Sequence, residues 1–174
     1  EQMADTKALQ EKLFSEMKGR IKEDDNSVPA PDGPFAYYTS YVEGGQHPRF
    51  MRKPRDLSGD GHLLLDGNAL AAGKEYFQFS GVDISPDHRL VAWSYDDKGS
   101  EFHDLVVRDL ASGTDLADRL ANTAGGSVWA ADGKSFFYTL QDENHRPLKI
   151  FHHQLGTRQD EDVLVYEERD TGLF

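Results

Sequence analysis

The serine, histidine and acidic residues of this chain do not form the pattern of a hydrolytic active site. A serine nucleophile of the α/β-hydrolase type lies in a Gly-x-Ser-x-Gly turn, which exposes its hydroxyl beside backbone N–H groups. No Gly-x-Ser-x-Gly occurs in the 174 residues, and the chain has no cysteine, so thiol catalysis and disulfide formation are also excluded. We therefore assign no catalytic residue to the sequence.

One segment has half of the pattern of a calcium loop. Asp56-x-Ser58-x-Asp60-Gly61 has the spacing of the first half of an EF-hand loop. A complete loop needs a bidentate glutamate at its twelfth position, where this chain has Gly67, and it needs a helix on each side. A turn rich in Asp and Gly is the interpretation we favour, and calcium binding is the alternative.

Two further patterns are weak indications of a metal or nucleotide site. His152 and His153 are adjacent, and neighbours on a strand point to opposite faces, so they are not expected to bind one metal ion. A site that includes His145 is the alternative. Gly59-x-Gly61 lacks the third glycine and the helix of a dinucleotide-binding loop and is interpreted as a turn. The sequence thus predicts no metal and no cofactor.

Acidic and aromatic runs offer possible surfaces for ligands, but each has a simpler interpretation. Gln159-Asp160-Glu161-Asp162, followed by Glu167-Glu168, would attract basic peptides, yet a solvated loop is the interpretation we favour. Trp93, Trp129 and the run Phe136-Phe137-Tyr138 are interpreted as core rather than as a ligand platform. Substrate-binding residues therefore stay unassigned.

An internal repeat predicts the framework that carries these residues. The segment Asp87 to Ser94 recurs 45 residues later as Asp132 to Thr139, and Leu110 recurs at Leu155. A looser first copy begins at Asp32. The first two residues of each later copy are predicted to form a tight turn with left-handed backbone. A period of roughly 40–50 residues, made of a turn, an aromatic β run, a polar loop and a second β run, is typical of a propeller blade.

The N-terminal segment has the periodicity of a helix instead. An amphipathic α-helix is predicted from about Asp5 to Lys22, and a helix of this length is marginal in water. It is therefore expected to dock, first on the β portion of the chain and second on another domain. Its apolar face consists of Leu9, Leu13, Phe14, Met17 and Ile21.

The predicted fold class is mainly β: a partial β-propeller of about three four-stranded antiparallel blades, preceded by the amphipathic helix. Three blades leave apolar faces and a strand edge uncovered, so the chain is expected to be part of a larger propeller protein and to self-associate when alone. In the second unit we predict strands at 76–79, 82–84, 90–95 and 103–108. The predicted parts are a leader helix and linker at 1–27, a partial propeller at 28–174, blade-like units at about 28–73, 74–120 and 121–168, and the start of a further blade at 169–174.

The composition limits the possible partners. A formal net charge of −12 disfavours nucleic acids and anionic membranes, because binding phosphate groups requires a basic patch. No apolar run approaches the ~20 residues of a spanning helix, and no signal-like segment opens the chain. The absence of cysteine favours a cytoplasmic setting and leaves a periplasmic one open.

Two sets of residues resemble segments of one known family. The leader set is Leu9 to Lys22 with Asp24-Asp25 and Val28-Pro29, and the blade set is Leu63 to Gly73 with Ile84 to Asp87 and Arg108 to Gly113. Together they resemble the N-terminal propeller segment of the prolyl oligopeptidase family of serine peptidases, specifically its oligopeptidase B (protease II) branch. The resemblance covers essentially the whole chain.

This resemblance implies a seven-bladed propeller that covers an α/β-hydrolase domain of the same protein and restricts its substrates to short peptides. Members of the oligopeptidase B branch cleave after Arg or Lys, with a catalytic triad in the hydrolase domain. The chain is thus expected to be a gating and scaffold segment, inactive alone, whose partners are that domain and short basic peptides. The alternative is a propeller-type binding module without an enzyme, and sequence beyond Phe174 would distinguish the two.

Overall fold

The chain forms an antiparallel β structure with few helices. The computed structural model describes residues 6–170 and residue 172. It divides into two compact units, residues 1–68 and residues 69–174, each with its own sheet. Within the described residues, no helix combines the length and the apolarity needed to cross a bilayer. The mainly β class expected from the sequence is confirmed.

The first unit carries one four-stranded antiparallel sheet in sequential order. Ala36 and Leu65 are fully buried in it, and the guanidinium of Arg49 on the third strand is 3.0 Å from the carboxylate of Asp66 on the fourth. The first strand was not predicted because it contains Pro31, which lacks a backbone N–H and is tolerated only because this strand lies at the sheet edge. The strands are β1 (Ala30–Asp32), β2 (Phe35–Ser40), β3 (Arg49–Pro54) and β4 (His62–Asp66).

The second unit carries a seven-stranded antiparallel sheet, also in sequential order. A short helix, α2 (Gly67–Ala71), joins β4 to this part of the chain. A short 3-10 helix, Gln159–Glu161, precedes the last strand. The strands are β5 (Gln78–Ile84), β6 (Leu90–Asp96), β7 (His103–Asp109), β8 (Asp115–Trp129), β9 (Ser135–Gln141), β10 (Pro147–Gln154) and β11 (Val163–Glu167).

Strand β8 is 15 residues long and belongs to two groups of four strands. The first group is β5, β6, β7 and the first part of β8, and the second is the last part of β8 with β9, β10 and β11. Its first part pairs with β7, its last part pairs with β9, and Thr123 has a partner on both sides. The ladder with β9 shifts its register between Thr123 and Ser127, and Gly125 in this interval has a φ of 107°, a region that favours glycine. The strand therefore leaves one group and enters the next at this glycine.

The predicted repeat is confirmed at the turns. His88 and Gly133 both have left-handed backbone, with φ values of 59° and 65°. In each copy the preceding aspartate accepts a hydrogen bond from the backbone N–H two residues later, at 3.1 Å from Arg89 and 2.9 Å from Lys134. The two copies thus use the same turn chemistry.

The strands predicted for residues 74–120 differ from the structure in two places. Segments 76–79 and 82–84 were predicted as separate strands, but Gln78–Ile84 forms one strand with a register shift between Phe79 and Gly81. The fourth strand of the group, the first part of β8, was not predicted. Its apolar residues alternate with charged ones such as Arg119, and the buried Asp118 breaks the apolar pattern.

The core of the second unit lies between its two groups of strands. Phe136 and Tyr138 pack here, and Trp93 is also buried, so these aromatic residues belong to the interior as predicted. Phe137 does not, because successive side chains alternate across a strand, and its ring lies on the opposite face, 5.0 Å from that of His152. The shared core cluster contains Ala92, Leu105, Val107, Leu120, Phe136 and Tyr138, with Trp129 partly buried against it.

Helix α1 spans Lys7–Lys18 and therefore ends four residues before the predicted end at Lys22. The predicted start at Asp5 lies outside the described residues. None of the residues of α1 is buried, and Phe14 is 64% exposed. The expected docking of the helix on the β portion is therefore wrong, because none of the side chains of α1 is buried.

The exposed face of α1 leads to a stability prediction. Replacing Leu13, which is 48% exposed, by Asp should leave the thermal midpoint unchanged, because no buried contact is lost. The control is Leu105→Ala in the core, where the residue is 1% exposed and the substitution should cost about 2–5 kcal/mol. Thermal unfolding followed by circular dichroism measures both. A loss for Leu13→Asp as large as that of the control would show that the helix docks in solution.

The uncovered side of the second unit leads to a prediction about assembly. Strand β11 is an edge of its sheet, and edges with exposed apolar side chains pair with other strands. We expect the isolated chain to self-associate in sedimentation velocity at increasing concentration, and Val163→Lys on this edge to lower the associated fraction. A strictly monomeric wild-type chain at every concentration would contradict this. The exposed apolar residues are Val128, Ile150, Val163, Leu164, Val165 and Tyr166.

Candidate functional site

The half calcium loop forms a turn between β3 and β4. The Asp56 carboxylate accepts hydrogen bonds from the Ser58 hydroxyl at 2.6 Å and from the Ser58 backbone N–H at 3.0 Å, and the hydroxyl bond in particular lowers the pKa of Asp56. Gly59 continues the turn with a φ of 69°. This is the Asx-turn geometry of an Asp-Gly-rich loop. Among residues 6–170 and 172, no group of three His, Cys, Asp or Glu side chains is arranged to hold a metal ion.

The three histidines considered as ligands lie in three different environments. His152 and His153 point to opposite faces of β10, as the sequence predicted: His152 packs on Phe137, whereas His153 is 1% exposed. His145 lies in the loop between β9 and β10, where its Nε2 atom is 2.9 Å from the carbonyl oxygen of Ser100. The structure does not bring the three rings together.

His153 is the centre of a buried polar cluster. Its Nδ1 atom lies 2.7 Å from a carboxylate oxygen of Asp162 and its Nε2 atom lies 3.1 Å from one of Asp118. The Tyr138 hydroxyl donates to the other oxygen of Asp162 at 2.8 Å, and the backbone N–H of Gly156 donates to Asp118 at 2.5 Å. Burial and, second, the bond to Asp162 raise the pKa of Tyr138. The cluster ties β8, β9 and β10 to the segment before β11.

The acidic strip is therefore solvated only in part. The Asp160 side chain is 66% exposed and pairs with Arg158 in solvent, whereas the Asp162 side chain is fully buried. Sequence reasoning placed both in one solvated loop. The difference arises because the Asp162 carboxylate has buried hydrogen-bond partners on two neighbouring strands, and these partners lie 24 and 9 residues away in sequence.

A polar cavity of about 440 Å³ opens where β8 passes between its two groups of strands. The cavity lies at one end of the sheet. The start of β5, the β6–β7 loop and the β9–β10 loop surround it. Sequence reasoning identified only His145 among its residues, because the others are distant in sequence and match no motif. The polar side chains that line it include Tyr76, Ser80, Asp96, Glu101, His103 and His145.

The β6–β7 loop is held by the carboxylate of Asp96. This residue is 3% exposed, and its carboxylate accepts hydrogen bonds from the backbone N–H groups of Lys98, Gly99 and Glu101 at 2.8–3.0 Å. Burial alone would raise the pKa of Asp96, but these three donors together lower it. Glu101 has left-handed backbone, with a φ of 60°, which the third bond helps to fix.

Two side chains from β9 and the following loop hold the same segment from the other side. The Gln141 amide donates to the carbonyl oxygen of Glu101 at 2.6 Å, and the His145 ring contacts the carbonyl oxygen of Ser100. The His145 ring also packs on Phe102, with 4.8 Å between ring centroids. The cavity is therefore built from both groups of strands, and its walls are fixed by hydrogen bonds.

Comparison with known proteins places the fold. A sequence profile described as "Prolyl oligopeptidase, N-terminal beta-propeller domain" matches residues 1–174. The chain belongs to the prolyl oligopeptidase family. Each of the two sheets is accordingly part of that family's propeller domain. The family is one of serine peptidases, and the polar cavity lies in its propeller domain.

Three relatives illustrate the similarity. Dipeptidyl aminopeptidase BI of Pseudoxanthomonas mexicana is 34% identical over 189 residues, which cover 99% of this chain and 26% of that protein. Protease 2 of Moraxella lacunata is 30% identical over 167 residues, covering 92% of this chain and 24% of that protein. The structure of oligopeptidase B from Leishmania major matches with a TM-score of 0.92 and 33% identity, over 97% of this chain and 24% of that one. The chain spans about a quarter of the length of these relatives.

The buried cluster leads to a stability prediction with a matched control. Tyr138→Phe removes one donor from the buried Asp162 carboxylate and should lower the free energy of unfolding by about 1.5–3 kcal/mol. Tyr166→Phe removes a similar bond, to Glu168 at 2.5 Å, but at an exposed position, and should change the free energy little. Urea unfolding at neutral pH measures both. Equal effects of the two substitutions would show that the cluster contributes no more than an exposed pair.

Proposed function

We propose that this chain is the N-terminal gating and scaffold segment of a serine oligopeptidase that cleaves short peptides after basic residues. The observation that carries the proposal is the match to oligopeptidase B, with a TM-score of 0.92 at 33% identity over nearly the whole chain. The similarity to Protease 2 supports the same branch of the family. The catalytic nucleophile, base and acid would lie in a hydrolase domain outside these residues.

A scaffold role accounts for the absence of a Gly-x-Ser-x-Gly turn from the chain. A propeller presents loops and inner strands around a channel, and such a channel admits extended short peptides more readily than folded proteins. Together with further blades, the blades of this chain would form part of the wall of that channel. The binding module without an enzyme remains the alternative, and it is disfavoured because family members join the propeller to a hydrolase domain in one chain.

The exposed helix α1 fits this arrangement. Its apolar residues, among them Phe14 and Met17, are exposed in the chain and need a cover in water. We propose that these residues pack against the hydrolase domain. A second domain was the alternative docking partner expected from the sequence. Such packing would anchor the N-terminal end of the propeller segment to the catalytic part of the protein. A cytoplasmic location fits the absence of cysteine.

A second candidate activity has its own observation. Dipeptidyl aminopeptidase BI, by its name an enzyme that releases dipeptides from N-termini, is 34% identical over 99% of this chain. The two activities differ in where the substrate's N-terminus lies. An N-terminally blocked arginyl amide is a substrate only for an endopeptidase-like cleavage, whereas a dipeptidyl amide with a free amino group is the substrate of the second activity.

The activity test compares this chain with the intact gene product that contains it. We expect the intact protein to hydrolyse a blocked arginyl amide faster than a blocked prolyl amide or a free dipeptidyl amide, and this chain alone to hydrolyse none of them. Release of the fluorescent amine measures the rates. Preference for the free dipeptidyl amide would favour the second candidate. Turnover by the isolated chain that survives repurification and is blocked by a serine-directed inhibitor would show that the active site lies within it.

A further inference from the structure

The polar cavity contains acceptor groups that the chain itself does not use. The carboxylate of Glu101 lines it and has no ion pair or hydrogen bond among the described residues, although the backbone of Glu101 is held at both its N–H and its carbonyl. The Nδ1 atom of His103 is buried and likewise has no partner in that part of the chain. Because this nitrogen is closed off from solvent while Glu101 is exposed, the Glu101 carboxylate is the acceptor that a ligand can reach.

Ser80 adds a hydroxyl beside the His103 ring. Both side chains face Gly125, since a Cβ atom placed there would lie 2.0 Å from the Ser80 hydroxyl oxygen and 3.7 Å from His103 Nδ1. A side chain at position 125 would therefore collide with the Ser80 hydroxyl. The ring of Tyr76, a residue 41% exposed, lies against Gly99 at 3.8 Å from the position of a Cβ there and supplies an aromatic surface at the rim.

The charge of the cavity has one sign. Asp96 and Glu101 are among the residues that line it, and none of the described lining residues is Lys or Arg. The Asp96 carboxylate is occupied by backbone donors, which leaves the Glu101 carboxylate as the free anionic group. A set of acceptors around one carboxylate, with an aromatic ring beside it, is suited to a cation that carries several N–H donors.

We propose that this cavity binds the guanidinium group of an arginine side chain in a short peptide, with Glu101 as its ion-pair partner. A planar guanidinium has five donors, so it can pair with the carboxylate and still donate to the Ser80 hydroxyl. Its flat face can lie on the Tyr76 ring. The choice of a peptide as the carrier rests on the proposed function, and the site would hold a basic residue of the substrate.

The test uses this chain, labelled with nitrogen-15, and two probes of the same shape. N-acetyl-arginine methylamide carries the guanidinium, and N-acetyl-citrulline methylamide replaces it by a neutral urea group. We expect the arginine probe to shift the amide resonances of residues 99–103 and 141–145 at low ionic strength, and the citrulline probe not to do so. Equal shifts with both probes would overturn the proposal.

Two substitutions separate a specific ion pair from the general acidity of the surface. Glu101→Gln should weaken binding of the arginine probe about fivefold, at the upper end for a partly exposed ion pair. Glu143→Gln lowers the charge equally in an exposed loop that does not line the cavity, and it should weaken binding less than about twofold. Equal weakening by the two substitutions would overturn the assignment of Glu101.

The outcome for this site is distinguishable from that for the proposed function. Cleavage of arginyl amides by the intact protein, combined with no binding of the arginine probe to this chain, would overturn the cavity proposal and leave the function supported. Binding that is lost in Glu101→Gln, combined with no arginyl cleavage by the intact protein, would support the cavity as a guanidinium site and overturn the cleavage specificity.

Discussion

Strand β8 belongs to two groups of strands at once, and the rest of the second unit depends on this sharing. The strand can leave one group and enter the next only where its backbone bends, and Gly125 supplies that bend. On one side of the bend, Asp118 reaches the buried cluster around His153. On the other side, Ser127 donates its backbone N–H and its hydroxyl to the carboxylate of Asp83 on β5, both at 3.0 Å. The polar cavity lies at the bend itself.

Two kinds of interaction hold the two groups of strands together: apolar burial, which stabilises them, and hydrogen bonds, which fix their orientation. The apolar cluster that includes Leu105, Leu120 and Phe136 removes surface from water and supplies most of the stabilisation without fixing an orientation. The hydrogen bonds of His153 and Asp83 are directional. Those to Asp118 and from Ser127 join the two groups of strands, and the bond between His153 and Asp162 fixes β10 to the segment before β11. Buried polar groups of this kind are costly when unpaired, so they disfavour a shifted register.

The sequence predicted those features that depend on short-range periodicity. The repeat located the turns at His88 and Gly133, and the alternation of a strand placed His152 and His153 on opposite faces. The features it missed depend on distant partners. Asp162 looks like part of a solvated acidic run until Tyr138 and His153 are placed beside it. The sequence also missed the cavity and the exposure of α1. The cavity is lined by four separate segments, and the helix lacks a packing partner, and neither feature leaves a local sequence pattern.

The 45-residue offset also appears in space, since equivalent positions of the two copies touch each other. The His145 ring contacts the carbonyl oxygen of Ser100, and a Cβ atom on Gly81 would lie 2.8 Å from the Cα atom of Gly126. An insertion of one residue within a strand would shift the register of the contacts that follow it in that strand. Length changes during evolution should therefore accumulate in the turns rather than in these strands, and engineered duplications of this unit should keep the strand lengths.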